Sequence, residues 1–437
     1  MLKVVKFGGS SLAGADKFRQ VRTIIEKDPG RRVVVVSAPG KRFGEDHKIT
    51  DLLYLCYAHV QYGVSCENVF SMIRQRFTDL KEELGLRVNV EADLDAIRQK
   101  IGEGISQDEL VSRGEYLSAR LMADYLGYDF VDAADWLCFS LDGSVDQAIS
   151  YERLRMLAGD RRVVIPGFYG IMPDGQIHTL SRGGSDVTGA LAAAALEADV
   201  YENWTDVSGI LMADPRIVEN PRCIARLTYS ELRELSYIGA QVLHESSVFP
   251  VREKGIPLNI RNTDAPEDPG TIIREAFPAE EEVSGQLITG IAGKKGFTII
   301  TVTKQGMSSA VGAFRQILNG FAKYEIPVAY TVGGIDCYSC IVEDQKLSAR
   351  KYAVLSDIEK NLEPDEIRLT EHIAVLAVVG RRMAFRQGSS ARIFRALGES
   401  GVNVRMISQG PEELNIIIGV EEKDYAPAVR ALYSICV

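Results

Sequence analysis

Histidine is scarce in this chain, five among 437 residues, which leaves little material for a reaction run on imidazole bases. The seven cysteines (56, 66, 138, 223, 337, 340, 436) are scattered along the sequence and form no dense framework of the kind that staples small secreted domains, so a reducing compartment is expected. No stretch reaches the roughly 18 apolar residues of a membrane helix. The N-terminus MLKVVKF enters a strand at once, without the apolar core of a signal peptide, so the expectation is a cytoplasmic chain with no membrane partner. A basic surplus is also missing: the formal net charge is −10, which speaks against nucleic acid and anionic membranes and favours a small-molecule partner. Several nucleotide motifs are absent too. Gly9 and Gly14 have the glycine spacing of a Walker A loop, but Ala15 and Asp16 follow where lysine and serine or threonine belong. The protein-kinase glycine loop with its HRD and DFG triplets is missing, and no G-x-G-x-x-G follows an early strand.

The composition that remains, 46% hydrophobic and 25% charged, is that of a globular protein long enough for two or three domains. Apolar runs at VVKF (4–7), RRVVVVSAP (31–39), YDFVDAA (128–134), RRVVIPGFYG (161–170), ADVYENWTDV (198–207) and IPLNIRN (256–262) alternate with helical stretches. That rhythm predicts an α/β fold, a mostly parallel sheet sandwiched by helices, over residues 1–275. The segment AFPAEEEVSGQ (276–286) breaks the pattern and reads as a linker. Beyond it the stretches 310–332 and 390–408 share a helix, a short turn and an amphipathic strand, each followed by a second strand (337–344 and 414–422) and another helix. Two βαββαβ copies are expected in 287–437, the first over about 297–370, the second over about 372–437 with 287–295 as a candidate addition.

Three strand-end loops carry the polar groups. In VVKFGGSS, Lys6 closes a strand and runs into Gly8, Gly9 and Ser10 ahead of a helix, at the carboxyl edge where α/β sheets bind ligands. The stretch LSRGGSDVTGALAAAALEAD (180–199) sets Arg182, Gly183, Gly184, Ser185 and Asp186 at the start of an alanine-rich helix, whose N-terminal amides and dipole suit an anion. A capping serine or aspartate alone would account for the helix start, but not for the two glycines and the arginine before it. The third loop, ENWTDVSGILMADPRIV (202–218), ends a strand at Thr205-Asp206 and presents Arg216 from a turn at Asp214-Pro215.

Taken together, KFGGSS, SRGE (112–115), SRGGSD (181–186), WTDVSG with DPR (204–216) and VRMISQG (404–410) resemble the aspartate kinase family of the amino acid kinase superfamily, in that family's order and across nearly the whole chain. The resemblance implies the amino acid kinase fold followed by two ferredoxin-like ACT domains. Because the chain stops after the second repeat, it resembles the monofunctional form, without a fused homoserine dehydrogenase. It implies transfer of the γ-phosphoryl group of ATP, with Mg2+ carried by the nucleotide, to the side-chain carboxylate of L-aspartate, opening the route to lysine, threonine, methionine and diaminopimelate. Feedback by an amino acid effector, lysine or threonine, and a homodimer or larger assembly through the ACT domains are implied as well.

By the same resemblance Lys6 and Asp186 are the catalytic pair, with Phe7, Gly8, Gly9 and Ser10 beside the phosphates. Thr50, Glu115, Phe168, Arg182, Gly183, Gly184 and Ser185 are the substrate contacts, Arg182 for the α-carboxylate and Glu115 for the ammonium. Thr205, Asp206, Leu211, Arg216, Gln241 and Val242 are the remaining nucleotide contacts. Gln241 departs from the family, which often carries lysine there. A carboxylate acceptor with pKa near 3.9 is already ionised at neutral pH and needs no base, so His178 and His244 are expected to be loop hydrogen-bonding residues. The pair Cys337 and Cys340 reads as core thiols, since a zinc site needs about four ligands. The effector edge is expected at Lys304 to Gly312, where amides at a helix start suit an α-carboxylate. Two rival readings remain: a related kinase acting on glutamate or N-acetylglutamate, and a catalytically inactive amino acid sensor.

Overall fold

The computed structural model describes residues 1–181, 183–239, 243, 245–278, 288–381, 383, 387–410 and 414–436. By packing, the chain divides into two units: Met1–Ile210 with Cys223–Tyr229 and Val242–Phe277, and Leu211–Arg222 with Ser230–Gln241 and Pro278–Val437.

Among the described residues, ten strands belong to the first unit: β1 (Lys3–Phe7), β2 (Arg31–Val36), β3 (Asp129–Phe130), β4 (Val163–Pro166), β5 (Tyr169–Ile171), β6 (Ile177–Thr179), β7 (Val200–Thr205), β8 (Arg226–Thr228), β9 (Leu258–Asn262) and β10 (Thr271–Arg274). Eight of them form one sheet in the order β3-β4-β2-β1-β7-β9-β10-β8, parallel throughout except at β9–β10. The central strands are buried along their length, as β-branched runs such as Val33–Val36 require when helices cover both faces. On one face lies the helix Gly184–Ala195, whose residues 189–195 are all buried. Its small side chains let it close on the sheet: a Cβ on Gly189 would stand 2.4 Å from the Tyr201 hydroxyl of β7.

The sequence reading of 161–170 as one strand is corrected here. The stretch forms β4 in the large sheet and β5 in a separate hairpin with β6, because the chain turns at Gly167–Phe168, where Phe168 adopts φ +82°. The expected strand at 128–134 shrinks to the two residues of β3.

The second unit holds a six-stranded antiparallel sheet, β12-β13-β11-β14-β16-β15, built from β11 (Gly290–Thr303), β12 (Tyr330–Gly333), β13 (Cys337–Glu343), β14 (Glu366–Val379), β15 (Val404–Ser408) and β16 (Asn415–Glu421). The two repeats are fused through two 14-residue strands that each run through both halves. Residues 290–294 of β11 pair with 375–379 of β14, and 297–303 pair with 366–373 across a register irregularity. Each half keeps its own core, one around Ile300, Ile317, Phe321 and Val354, the other around Leu376, Ile393, Ile418 and Leu432. Cys340 lies in the first of these cores, where burial pushes its thiol up to about 12. Most of the stretch read as a linker, 279–286, falls outside the described residues. No described helix is long and apolar enough to cross a membrane.

Candidate active site

The carboxyl ends of β1, β2 and β4 and the start of the helix Gly184–Ala195 meet around a cavity of about 730 Å³. It brings together Lys6, Thr50, Glu115, Phe168, Gly183, Gly184, Ser185 and Asp186, eight of the residues singled out from the sequence. Arg182, Gln241, Val242 and His244 lie outside the described residues.

Lys6 leaves the last turn of β1 buried and sets its Nζ 2.6 Å from Asp186 Oδ1. Asn203, on neighbouring β7, donates to the same oxygen at 2.9 Å, and the Tyr201 hydroxyl donates to the Asp186 carbonyl at 3.1 Å. Asp186 is therefore held by two residues that sequence reading passed over, both on the strand adjacent to β1. The period of two was their signal, since Tyr201 and Asn203 share one face of β7.

The glycines at 183 and 184 have distinct duties. Gly183 caps the helix in the left-handed region at φ +73°. Gly184 admits Phe168, whose Cδ2 would lie 2.5 Å from a Cβ at that position. Thr188 completes the interlock by accepting from the Phe168 amide at 2.9 Å and donating to the Gly184 carbonyl at 3.0 Å. The turn that aims Phe168 at the cavity is thus keyed into the helix that carries Asp186.

Glu115 stands in the same wall, on the helix Gln107–Leu126. It is 5% exposed and its Oε2 is buried with no hydrogen-bond partner. Burial pushes its carboxyl up to about 8, against the smaller opposing pulls of the Ala38 backbone, its own backbone and Arg113. Such a group awaits a cation or a donor. Thr50 enters from the first turn of the helix Ile49–Gln61. His178 lines the cavity too, its Nδ1 2.9 Å from Asp108 Oδ2, alongside Ser37, Tyr54 and Phe139.

The remaining nucleotide-side residues are placed differently. Gly8 donates to the Trp204 carbonyl at 3.1 Å, and Gly9 accepts from the Gly40 amide at 2.7 Å. The side chain of Phe7 is buried against Trp204, centroids 5.9 Å apart, so only its backbone faces the loop. Ser10 and Asp206 line a second cavity of about 550 Å³, and the Thr205 hydroxyl donates to Asp206 at 3.2 Å. Leu211 and Arg216 belong by packing to the second unit, where Arg216 pairs with Asp214 at 2.7 Å. In the segment 304–312, the amides of Gln305 and Gly306 already bond the Asp365 and Asp336 carboxylates at 2.7 and 2.8 Å. The amides expected to meet an effector's carboxylate are thus partly taken, by acidic side chains from outside the segment.

A lysine paired with an aspartate, beside one glycine turn and one glycine-led helix start, gathers positive charge and amide donors at a sheet edge without a Walker A loop. The chain belongs to the amino acid kinase family, whose model matches residues 1–262, and residues 376–435 match that of an ACT domain. Relatives that it matches over nearly its full length include aspartokinases. Aspartokinase 3 of Bacillus subtilis is 35% identical over 99% of this chain and 98% of its own. The chloroplastic aspartokinase 2 of Arabidopsis thaliana is 30% identical over 99% of this chain and 83% of its own. Among solved structures, the aspartate kinase of Clostridium acetobutylicum is 45% identical, with a TM-score of 0.91 and full coverage of both chains. E. coli aspartokinase III in complex with aspartate and ADP, an R-state, is 25% identical with a TM-score of 0.75 over 99% of both chains. The same enzyme in complex with lysine and aspartate, a T-state, gives the same identity and score over 100% of this chain and 99% of its own.

Proposed function

We propose that this protein is an aspartate kinase that moves the γ-phosphoryl group of MgATP onto the side-chain carboxylate of L-aspartate, giving 4-phospho-L-aspartate and ADP. The observation that carries the reading is the Lys6–Asp186 pair in one cavity with the buried Glu115, whose Oε2 has no hydrogen-bond partner. The acceptor carboxylate is ionised at neutral pH, so the site's task is to align two anions and offset their repulsion. Lys6 supplies charge where the phosphoryl group transfers, and Asp186 orients it. The two Asp186 bonds to Lys6 and Asn203 both use Oδ1. Oδ2 is then the oxygen that would face the nucleotide's Mg2+, and that ion would lower the charge that the attacking carboxylate meets. Gly9 and Ser10 offer amides to the phosphates, while the Gly8 amide, bonded to the Trp204 carbonyl, fixes the start of the loop. Glu115 takes the substrate ammonium, which explains a carboxylate oxygen left without a partner in a buried wall, and Arg182 takes the α-carboxylate. Phe168 and Thr50 bound the acceptor.

The second unit holds an amino acid effector, lysine or threonine, and joins copies into a dimer or larger assembly. The ACT match supports the first statement, as does the lysine complex of the E. coli relative. Exposed apolar side chains around the helix Ala313–Ala322, Val311, Phe314 and Leu318, support the second. Inhibition requires the effector to bind one state of the protein more tightly than another.

The test is ADP release from MgATP with L-aspartate, L-glutamate or N-acetyl-L-glutamate as acceptor, repeated with lysine or threonine added. Turnover with aspartate alone, lowered by one end product, is expected. ADP release that no acceptor stimulates would overturn the reading.

A further inference from the structure

Behind the glycine loop lies a buried arginine that no part of the proposed chemistry uses. Arg76 sits on the helix Glu67–Leu84 among Ile73, Phe77 and Leu80 and is 5% exposed. Its guanidinium does not serve its own helix. Nη2 donates to the Ala13 carbonyl at 2.8 Å and to the Gly40 carbonyl at 2.6 Å, and Nη1 donates to Asp46 Oδ2 at 2.7 Å. Asp46 is gripped in turn by Arg42, through its amide and Nε at 2.9 Å each.

The two carbonyls belong to two different loops. Ala13 ends the turn that follows β1 and Lys6, and Gly40 lies between Ser37 on the cavity wall and Thr50 at the next helix start. Those loops touch along a backbone seam. The Gly40 amide donates to the Gly9 carbonyl at 2.7 Å, and a Cβ on Gly9 would stand 2.8 Å from the Ala38 carbonyl, so neither side chains nor water separate them. The Ile49 amide, bonded to the Pro39 carbonyl at 3.1 Å, ties the second loop to the turn that carries Thr50.

For stability alone, an apolar side chain of similar volume would serve as well as a buried ion pair, which is expensive to desolvate. An arginine repays its burial here because only a planar fork reaches two carbonyls and a carboxylate at once. Resting on the function proposed above, we propose that Arg76 is a positioning residue that locks the glycine loop following Lys6 to the loop leading to Thr50, so that the nucleotide side and the acceptor side of the site keep one registration.

The test compares the wild-type chain with Arg76→Lys and Asp46→Asn. Arg76→Lys keeps the charge but cannot span three acceptors, while Asp46→Asn spares both carbonyl bonds. Two readouts are taken: backbone amide exchange over 8–14 and 40–46, and KM and kcat for both substrates. With Arg76→Lys, both loops are expected to exchange about tenfold faster together, the equivalent of losing one such hydrogen bond. KM for MgATP and for L-aspartate should rise together by about tenfold, with kcat within about threefold of wild type. Asp46→Asn should move both readouts the same way by less. Variants that lower the melting temperature yet leave both KM values and both loops' exchange unchanged would overturn the proposal, as would faster exchange in one loop only. Exchange needs no turnover, so an absence of aspartate-dependent ADP release in the wild type would remove the functional reading while the loop coupling is still decided.

Discussion

Replacing Glu115 by Gln should change how folding stability depends on pH, because the wild-type carboxyl is buried with one oxygen unpartnered, and burial pushes it up to about 8. An unfolded glutamate titrates near 4.3 to 4.5, so between these values the native state holds a proton that the unfolded chain releases. The sign follows: this group's contribution is fully present at acid pH and is lost as pH rises from about 4.5 through about 8. Integrated over that interval, wild type should lose about 3 kcal/mol relative to Glu115→Gln between about pH 5.5 and 8.5, if its midpoint is about 8. Glutamine keeps the volume and cannot ionise, so it removes this dependence while leaving the packing. Urea unfolding of both proteins across that range measures it, with the difference between the two curves as the readout. A substrate ammonium beside the carboxylate would restore ionisation, so aspartate binding near neutral pH should release close to one proton in wild type and none in the variant, as calorimetry in buffers of different ionisation enthalpy would detect. Parallel pH–stability curves for the two proteins would refute the reasoning.

Lys6→Met and Asp186→Asn should each lower kcat by about a hundredfold or more, and the double variant should fall no more than about tenfold further, since the pair acts as one unit; a fully additive loss in steady-state rates would separate their roles. Gly184→Ala puts a methyl 2.5 Å from the Phe168 ring and should cost about 1–3 kcal/mol of stability while raising KM for aspartate but not for MgATP. Glu202 is 1% exposed and accepts from Arg31 Nε and Trp204 Nε1, both at 2.9 Å. Its replacement by Ala should therefore lower the unfolding free energy by about 3–5 kcal/mol in denaturant titration, because the buried Arg31 loses its counter-charge.

The parallel sheet was legible because apolar runs such as RRVVVV admit no exposed face, and the glycine clusters were legible because paired glycines exceed what a helix cap needs, although Gly9 and Gly184 are also called for by close packing. Other features depend on contacts between distant segments. The break at Phe168 could not be read from RRVVIPGFYG, since a phenylalanine at φ +82° is imposed by its fit against Gly184 and Thr188. Gly184 was read as freedom for an anion, and the structure adds steric room for a ring. Asn203 and Tyr201 escaped because their value comes from strand pairing of β7 with β1. Arg76 looks like one more charge on an amphipathic helix until the fold sets it behind two loops. The fusion of the two repeats through β11 and β14 is also long-range pairing, which a repeat in the sequence signals without specifying.

The most direct test of the central claim is to identify the product formed from MgATP and L-aspartate by trapping it with hydroxylamine and analysing it by mass spectrometry. An acyl phosphate on the side-chain carboxylate predicts the β-hydroxamate of aspartate, formed one-to-one with ADP and about a hundredfold or more slower with Lys6→Met. ADP formed without any hydroxamate, or an equal yield of hydroxamate from glutamate, would contradict it.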